Sequence, residues 1–412
     1  MIARFLSHAT LLVLAIVGFN SKTVSLSAAD ILVIGDTVYT MAGEPITNGA
    51  ILIQRGKFAA IGKAEDLKKN GSHQVIRAKV VTPGLIDAHS TVGLSGMLNQ
   101  PHDQEQVEDS DPMQPELRAI DAYNGRDGLA DWIRNLGITT IHTGHGPGSL
   151  ISGQTMIIKT DRENISDGVI RPLAMIAGAL GESGLNRDNG SPGTRSKAVS
   201  LLRAEFIKTQ QYQTKRSTAE EGKEPDRNLR LEILAQVLDR KIPFLMTAHR
   251  HQDILTAIRI AEEFQFRLIL DGASEAHLVL DDIKEAGIPV LVHPSMARPS
   301  QDRENMTFEM AKLLQQAGIP FAQQSGFEAY VPKTRVVLFE AAMSITYGLS
   351  FEDALKSITI NAAKILGIAD RVGSIEVGKD ADLALFDGDP FEFVTHCVNT
   401  IIDGKVVSDA PR

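Results

Sequence analysis

The chain has 412 residues and a formal net charge of −9 at neutral pH, with 42 basic against 51 acidic side chains. That length suits one large α/β barrel with a satellite module, or two to three smaller domains. An acidic balance without a basic patch argues against nucleic acid or anionic lipid as a partner, and a lone cysteine, Cys397, excludes an internal disulfide.

Residues 1–29 carry Arg4, an apolar run over 9–19 and small residues ending in Ser27-Ala28-Ala29. This order of charge, short apolar run and small residues is that of a cleavable secretory signal peptide, and the run is too short to span a bilayer comfortably. The reading implies a mature chain starting near Asp30 in the periplasm or outside the cell, with no stable membrane insertion after cleavage. From 30 to 80 the pattern is one of short alternating runs broken by Gly and Asn, such as Ile31-Leu32-Val33-Ile34-Gly35 and Phe58-Ala59-Ala60-Ile61-Gly62. The same texture returns in Asp382-Leu383-Ala384-Leu385-Phe386 and Ile401-Ile402-Asp403-Gly404-Lys405. Both ends, 30–80 and 370–412, are therefore expected in one composite β-sandwich.

Between them, over 81–369, the period changes. Helical stretches end in Gly and give way at once to an apolar strand, as in Leu136-Gly137-Ile138, Ala286-Gly287-Ile288-Pro289 and Ala317-Gly318-Ile319-Pro320. Glycine closes a helix in the left-handed conformation, and proline is tolerated where a strand needs no donor. Repeating βα units predict a parallel sheet, and a (β/α)8 TIM-like barrel fits the length. A doubly wound open sheet is the alternative, without a Gly-x-Gly-x-x-Gly to support it. Two segments break the rhythm: 97–115 is acid-rich and follows the first strand, where barrels place either active-site loops or plain surface, and 210–228 reads as an exposed helix end plus loop.

The strand Val81-Thr82-Pro83-Gly84-Leu85-Ile86-Asp87-Ala88-His89-Ser90-Thr91 opens this central region. Residues two apart on a strand share a face, so His89 and Thr91 could address one ion, although a hydroxyl is a poor substitute for an imidazole at a transition metal. The segment resembles the first-strand His-x-His signature of the amidohydrolase superfamily, with Thr91 in place of the second histidine. The run Gly373-Ser374-Ile375-Glu376-Val377-Gly378-Lys379-Asp380-Ala381-Asp382-Leu383 resembles that family's closing signature. Gly148-Ser149-Leu150-Ile151-Ser152-Gly153-Gln154, Leu180-Gly181-Glu182 and Ala248-His249-Arg250 are similar to its imidazolonepropionase-like branch. The resemblance implies a metal-bearing barrel with a small β-sandwich, hydrolysing amides or cyclic ureides with metal-activated water.

Carried over by position, the resemblance makes His89 and His249 metal ligands and Glu182 the acidic bridge and catalytic carboxylate. Gly272 falls at the strand-six histidine and Ser325 at the strand-eight aspartate that serves as general base. Zinc needs three or four protein ligands with an open position, and a hydroxyl does not replace a carboxylate base. The expected cofactor is a divalent ion of zinc type held weakly or substoichiometrically, or none. His142, His145, His251 and His293 also fall near the barrel mouth, either as substitute ligands or as hydrogen-bonded structural imidazoles. Arg250 with Asp253 either binds a substrate carboxylate or holds the second nitrogen of His249, or is a helix N-terminal acid beside a surface arginine.

Three functions follow. The first is an exported hydrolase of a non-peptide C–N bond, of amide, lactam or ureide type, working at an eroded metal site on a small molecule. The second is an inactive paralogue that binds a ligand or partners an intact homologue, as a homo- or hetero-oligomer. The third is a different reaction in the same pocket without metal.

Overall fold

The computed structural model describes residues 30–67, 74–97, 100–161, 165–187, 190–295, 299, 301–327 and 336–409. The expected signal peptide, 1–29, lies outside the described residues. Among the described residues no helix is long and apolar enough to cross a membrane.

Four strands open the chain, β1 (Ile31–Val38), β2 (Ile46–Gln54), β3 (Lys57–Lys63) and β4 (Gln74–Pro83). The central region supplies β5 (Leu85–Ser90), β6 (Ile138–Thr143), β7 (Gly153–Gln154), β8 (Met156–Lys159), β9 (Val169–Arg171) and β10 (Ile176–Ala179). It continues with β11 (Phe244–Ala248), β12 (Leu268–Gly272), β13 (Val290–Val292) and β14 (Phe321–Gln323). β15 (Leu383–Phe386), β16 (Cys397–Ile402) and β17 (Lys405–Ser408) close it.

The two ends share one seven-stranded sheet in the order β17-β16-β15-β4-β1-β2-β3, joined where Leu383 pairs with Pro83 and Phe386 with Val80. Alternation puts Val33, Ile51, Phe58, Val81, Leu383 and Ile401 into one buried cluster. The sheet curls until its two outer turns touch. Gly56 and Gly404 have φ of +76° and +71°, and a Cβ on Gly56 would lie 2.9 Å from the Asp403 carbonyl oxygen, so both the turn conformation and the close approach demand glycine.

In the central region β10 to β14 run parallel in sequence order, and β5 pairs parallel with β6. The backbone N–H of Gly326 donates to the His89 carbonyl at 3.0 Å, closing the ring between the last stave and the first. The prolines work as expected: Pro289 and Pro320 donate nothing, but their carbonyls accept from Leu270 and Val290. One expectation needs correction, because the sheet is not wholly parallel. β7 and β8 flank Thr155 as one stave, antiparallel to β10 on one side and to β6 on the other. The cause is local. Thr143-Gly144-His145-Gly146-Pro147-Gly148-Ser149 is too rich in Gly and Pro for a crossover helix, and a short connection joins only antiparallel neighbours. The chain therefore turns back at the mouth, and 144–152 becomes part of it.

Barrel and sheet meet at a buried charge cluster. Lys159 at the end of β8 is 2 % exposed, and its Nζ lies 2.9 Å from Asp380, 3.0 Å from Asp382 and 2.5 Å from Asp403. Asp380 also pairs with Lys57 and accepts from Arg371 Nη2 at 2.8 Å. Three carboxylates thus face three cations across the joint between the two units.

Candidate active site

β5 is buried at every position, so Asp87 and His89, two apart on one face, are held inside the barrel. An ionisable group on such a strand needs a partner. For His89 it is Asp271 on β12, whose Oδ1 accepts from the imidazole Nδ1 at 3.1 Å. Asp271 is itself fixed by Thr247 Oγ1 at 2.6 Å and by Gln324 Nε2 at 2.7 Å. Asp87 Oδ1 accepts from the backbone N–H of Ser325 at 3.0 Å and that of His89 at 3.3 Å.

These contacts set the charges. Burial opposes an Asp271 anion, but His89 and the two hydrogen bonds overcome it and hold the carboxyl at about 2. Burial likewise opposes charge on His89, yet Asp271 and then Asp87 raise it above its ordinary value. Asp87, without an ion-pair partner of that quality, is pushed by burial up to about 7. Burial takes His249 down to about 3 and His293 to about 4, so both are neutral at physiological pH.

His89, His249, His293 and Asp271 line one small cavity of about 30 Å³, together with Gly272, Arg303 and Gln324, under Pro147 and Phe327. His249 Nδ1 is hydrogen-bonded to Ser274 Oγ at 2.8 Å, and His293 Nδ1 donates to the Pro294 carbonyl at 3.2 Å. The Nε2 atoms of His89 and His293 are buried without a hydrogen-bond partner.

The sequence-expected residues divide accordingly. His89, His249, Gly272 and His293 come together. His142 does not join them: its Nδ1 donates to the Ala88 carbonyl at 2.7 Å and its Nε2 accepts from Thr155 at 2.6 Å, so it is a fully bonded structural imidazole. Thr91 starts a turn, its carbonyl accepting from Leu94 and Ser95, and is not in the cavity wall. His251 is half-exposed and bound to Glu275 at 2.8 Å. Arg250 reaches Glu304 at 2.7 Å, and Asp253 is held by Arg195 at 2.8 Å, so neither orients His249. His145 is buried beside Gly153, whose Cβ would lie 2.6 Å from its ring, outside the cavity lining.

The role given to Glu182 also needs correction. It lies on the outer rim, where Arg187 grips both carboxylate oxygens at 2.9 and 3.0 Å and Arg195 adds a contact at 3.4 Å. These arginines hold its carboxyl below the usual range. Its carboxylate is thus occupied by two guanidinium groups and stands outside the lining of the histidine cavity. Sequence reasoning passed over Asp271, although an acid inside the otherwise apolar Leu268-Ile269-Leu270-Asp271-Gly272 was the available signal.

The donor set does not fit the metal that the family resemblance implies. Among the described residues no group of three or more His, Cys, Asp or Glu side chains is disposed to hold an ion. Both Asp271 oxygens are already committed, and the Arg303 cation shares the wall. The strand-six position is closed as well: Gly272 has φ +77°, and a Cβ there would lie 2.5 Å from His249 Cε1. The His249 ring has taken the space that a strand-six side chain needs.

Comparison with known proteins bears on this geometry. The Amidohydrolase family profile matches residues 268–407. A crystal structure of an amidohydrolase from Thermotoga maritima MSB8 is 31 % identical, superimposes with a TM-score of 0.87, and is covered over 92 % of this chain and 100 % of its own. Amidohydrolase tasK of Hapsidospora irregularis is 25 % identical over 401 residues, 88 % of this chain, and the chain spans only 40 % of that relative's length. An imidazolonepropionase of Fusobacterium nucleatum is 23 % identical over 398 residues, covering 87 % of this chain and 91 % of the relative.

Proposed function

Because the chain belongs to the amidohydrolase superfamily, on its imidazolonepropionase-like branch, we propose that it hydrolyses a non-peptide C–N bond with water activated by a histidine–aspartate couple in place of the metal centre. One observation carries the reading: Asp271 fixes His89 through Nδ1, its Nε2 is buried without a partner, and His89 lines a cavity of about 30 Å³. That volume is roughly one water molecule. In the neutral form of His89, Nε2 accepts a proton from this water as its oxygen attacks the substrate carbonyl carbon. Asp271 orients the ring and stabilises the imidazolium that results. The same Nε2–H then delivers the proton to the departing nitrogen, and Arg303, in the same wall, stabilises the negative oxygen. The substrate class is a small amide, lactam or cyclic ureide, met in an exported compartment.

The test is turnover of an amide, lactam and ureide panel by protein dialysed against a chelator. Activity that survives chelation and vanishes in His89→Gln is the expected outcome. Activity lost on chelation and restored by zinc would return the chemistry to a metal.

The second reading, a subunit without turnover, is favoured by the same small volume. Ligand pockets ordinarily measure about 300–1,000 Å³. No hydrolysis of any panel member, with the same compounds still raising the melting temperature, would establish it.

A further inference from the structure

The short turn Gln301–Arg303 sends neighbouring charged residues to different places. Arg303 lines the inner histidine cavity, whereas Asp302 lines a separate rim cavity of about 480 Å³ shared with Glu182, Arg195, Arg250 and Gln252. The cations of this rim are already committed. Arg195 clamps both oxygens of Asp253 at 2.8 and 3.0 Å, and Arg250 binds Glu304 at 2.7 Å and the Gln301 carbonyl at 3.3 Å. Asp302 differs. It is 4 % exposed, and its Oδ2 is buried without a hydrogen-bond partner. Gly181 brings it close to a second acid: a Cβ there would lie 2.6 Å from Asp253 Oδ2 and 3.4 Å from Asp302 Oδ2.

A buried carboxylate oxygen with no donor carries a large desolvation cost, and a ligand that brings a donor with positive charge removes it. We propose that the rim cavity is a binding site for the ammonium group of a small aliphatic amine, with Asp302 as its anchor. An ammonium offers three donors, and the residues lining the cavity carry acceptor oxygens on Asp302, Gln252 and Gln301. A divalent ion suits the place less well: Glu182 and Glu304 in the wall are each held by an arginine, two guanidinium groups stand beside them, and among the described residues no group of three or more His, Cys, Asp or Glu is placed to hold an ion. The volume falls within the usual range for small-molecule sites. This site is separate from the histidine cavity, and the inference does not depend on hydrolysis.

Melting temperature and calorimetric titration of the full mature chain test it, with 1,4-diaminobutane, the near-isosteric 1,4-butanediol and magnesium chloride at matched ionic strength. The expected result is a saturable rise with the diamine alone, with affinity reduced about tenfold or more in Asp302→Asn, the loss of one charge-assisted hydrogen bond. Asp302→Asn keeps the side chain's shape and should fold; Asp302→Ser provides the same test if it does not. An equal response to the diol, a saturable magnesium response lost in the variant, or undiminished diamine binding by both variants would each overturn the assignment.

Discussion

Two buried ionic clusters sit at opposite ends of this barrel, and they are built on different terms. At the joint with the β-sheet, Lys159 is enclosed by Asp380, Asp382 and Asp403, with Lys57 and Arg371 completing the balance around Asp380. At the mouth, one strong pair, His89–Asp271, stands beside imidazole nitrogens that have no partner. A cluster whose charges all face opposite charges holds parts of a fold together. One that leaves buried polar atoms unanswered stores a cost that a ligand or water can relieve. Sequence position alone does not separate them, since both use Asp and both lie at strand ends.

The sharpest way to break the comparison is to remove one partner from each cluster. Asp271→Asn should lower turnover by about 10²–10⁴-fold, the usual worth of general-base assistance, with a much smaller effect on melting. Lys159→Met should do the reverse. Leaving Asp380 and Asp382 buried without their shared cation should cost about 3–5 kcal/mol of stability, while each folded molecule keeps its turnover. Urea denaturation and specific activity measured on both variants decide it. A stable Lys159→Met protein with lost activity would make the joint part of the chemistry.

A third substitution asks whether the mouth retains a vacant ligand position or has been rebuilt. Gly272→His would restore a family metal ligand on paper. In this structure the new Cβ meets the His249 ring, at a backbone conformation that β-carbons disfavour. Overpacking of that kind costs about 1–3 kcal/mol, so the variant should be less stable and gain no zinc by elemental analysis. Stoichiometric zinc with undiminished stability would show that the pocket opens easily.

The pattern of what could be read from sequence follows the same division. The alternating ends, the Gly-terminated helices and the two family signatures were all legible, because each is a local rule about period or turn chemistry. The reversed third stave was legible in principle from the Gly- and Pro-rich 144–150, yet the dominant βα rhythm masked it. Partners were not legible. Glu182 followed a family-like tripeptide and looked catalytic, but Arg187 and Arg195 claim its carboxylate, and nothing in Leu180-Gly181-Glu182 announces them. Asp271, Thr247 and Gln324 lie far apart in sequence and meet only because successive staves are neighbours in the barrel.

Acid separates the clusters in a graded way. His142 and His249 at about 3 and His293 at about 4 stay neutral in the folded chain at pH values where the unfolded chain, near 6.5, has already charged them. Those three groups withdraw stability as pH falls below about 6.5. Asp87 at about 7 and Asp382 at about 6 act oppositely, since the folded chain takes up their protons before the unfolded one does. Removing one depressed histidine isolates its share: the urea midpoint of His142→Gln should change less unfavourably from pH 7 to pH 5 than that of the parent chain. An identical pH dependence in the two chains would mean that His142 is charged in the fold.

The smallest expected effect concerns the rim, where the family resemblance put the catalytic carboxylate. Glu182 is partly exposed, and its arginine contacts are of the surface kind, which contribute about 0–1 kcal/mol because water and salt screen them. Glu182→Gln should thus change melting little. It should leave hydrolysis within a factor of a few, since the carboxylate stands outside the histidine cavity and is already neutralised. A near-null result here, beside a large loss in Asp271→Asn, places the working carboxylate on β12. Should Glu182→Gln instead abolish turnover while Asp271→Asn retains it, the proton acceptor lies on the rim, and the histidine cavity is structural in the same sense as Lys159.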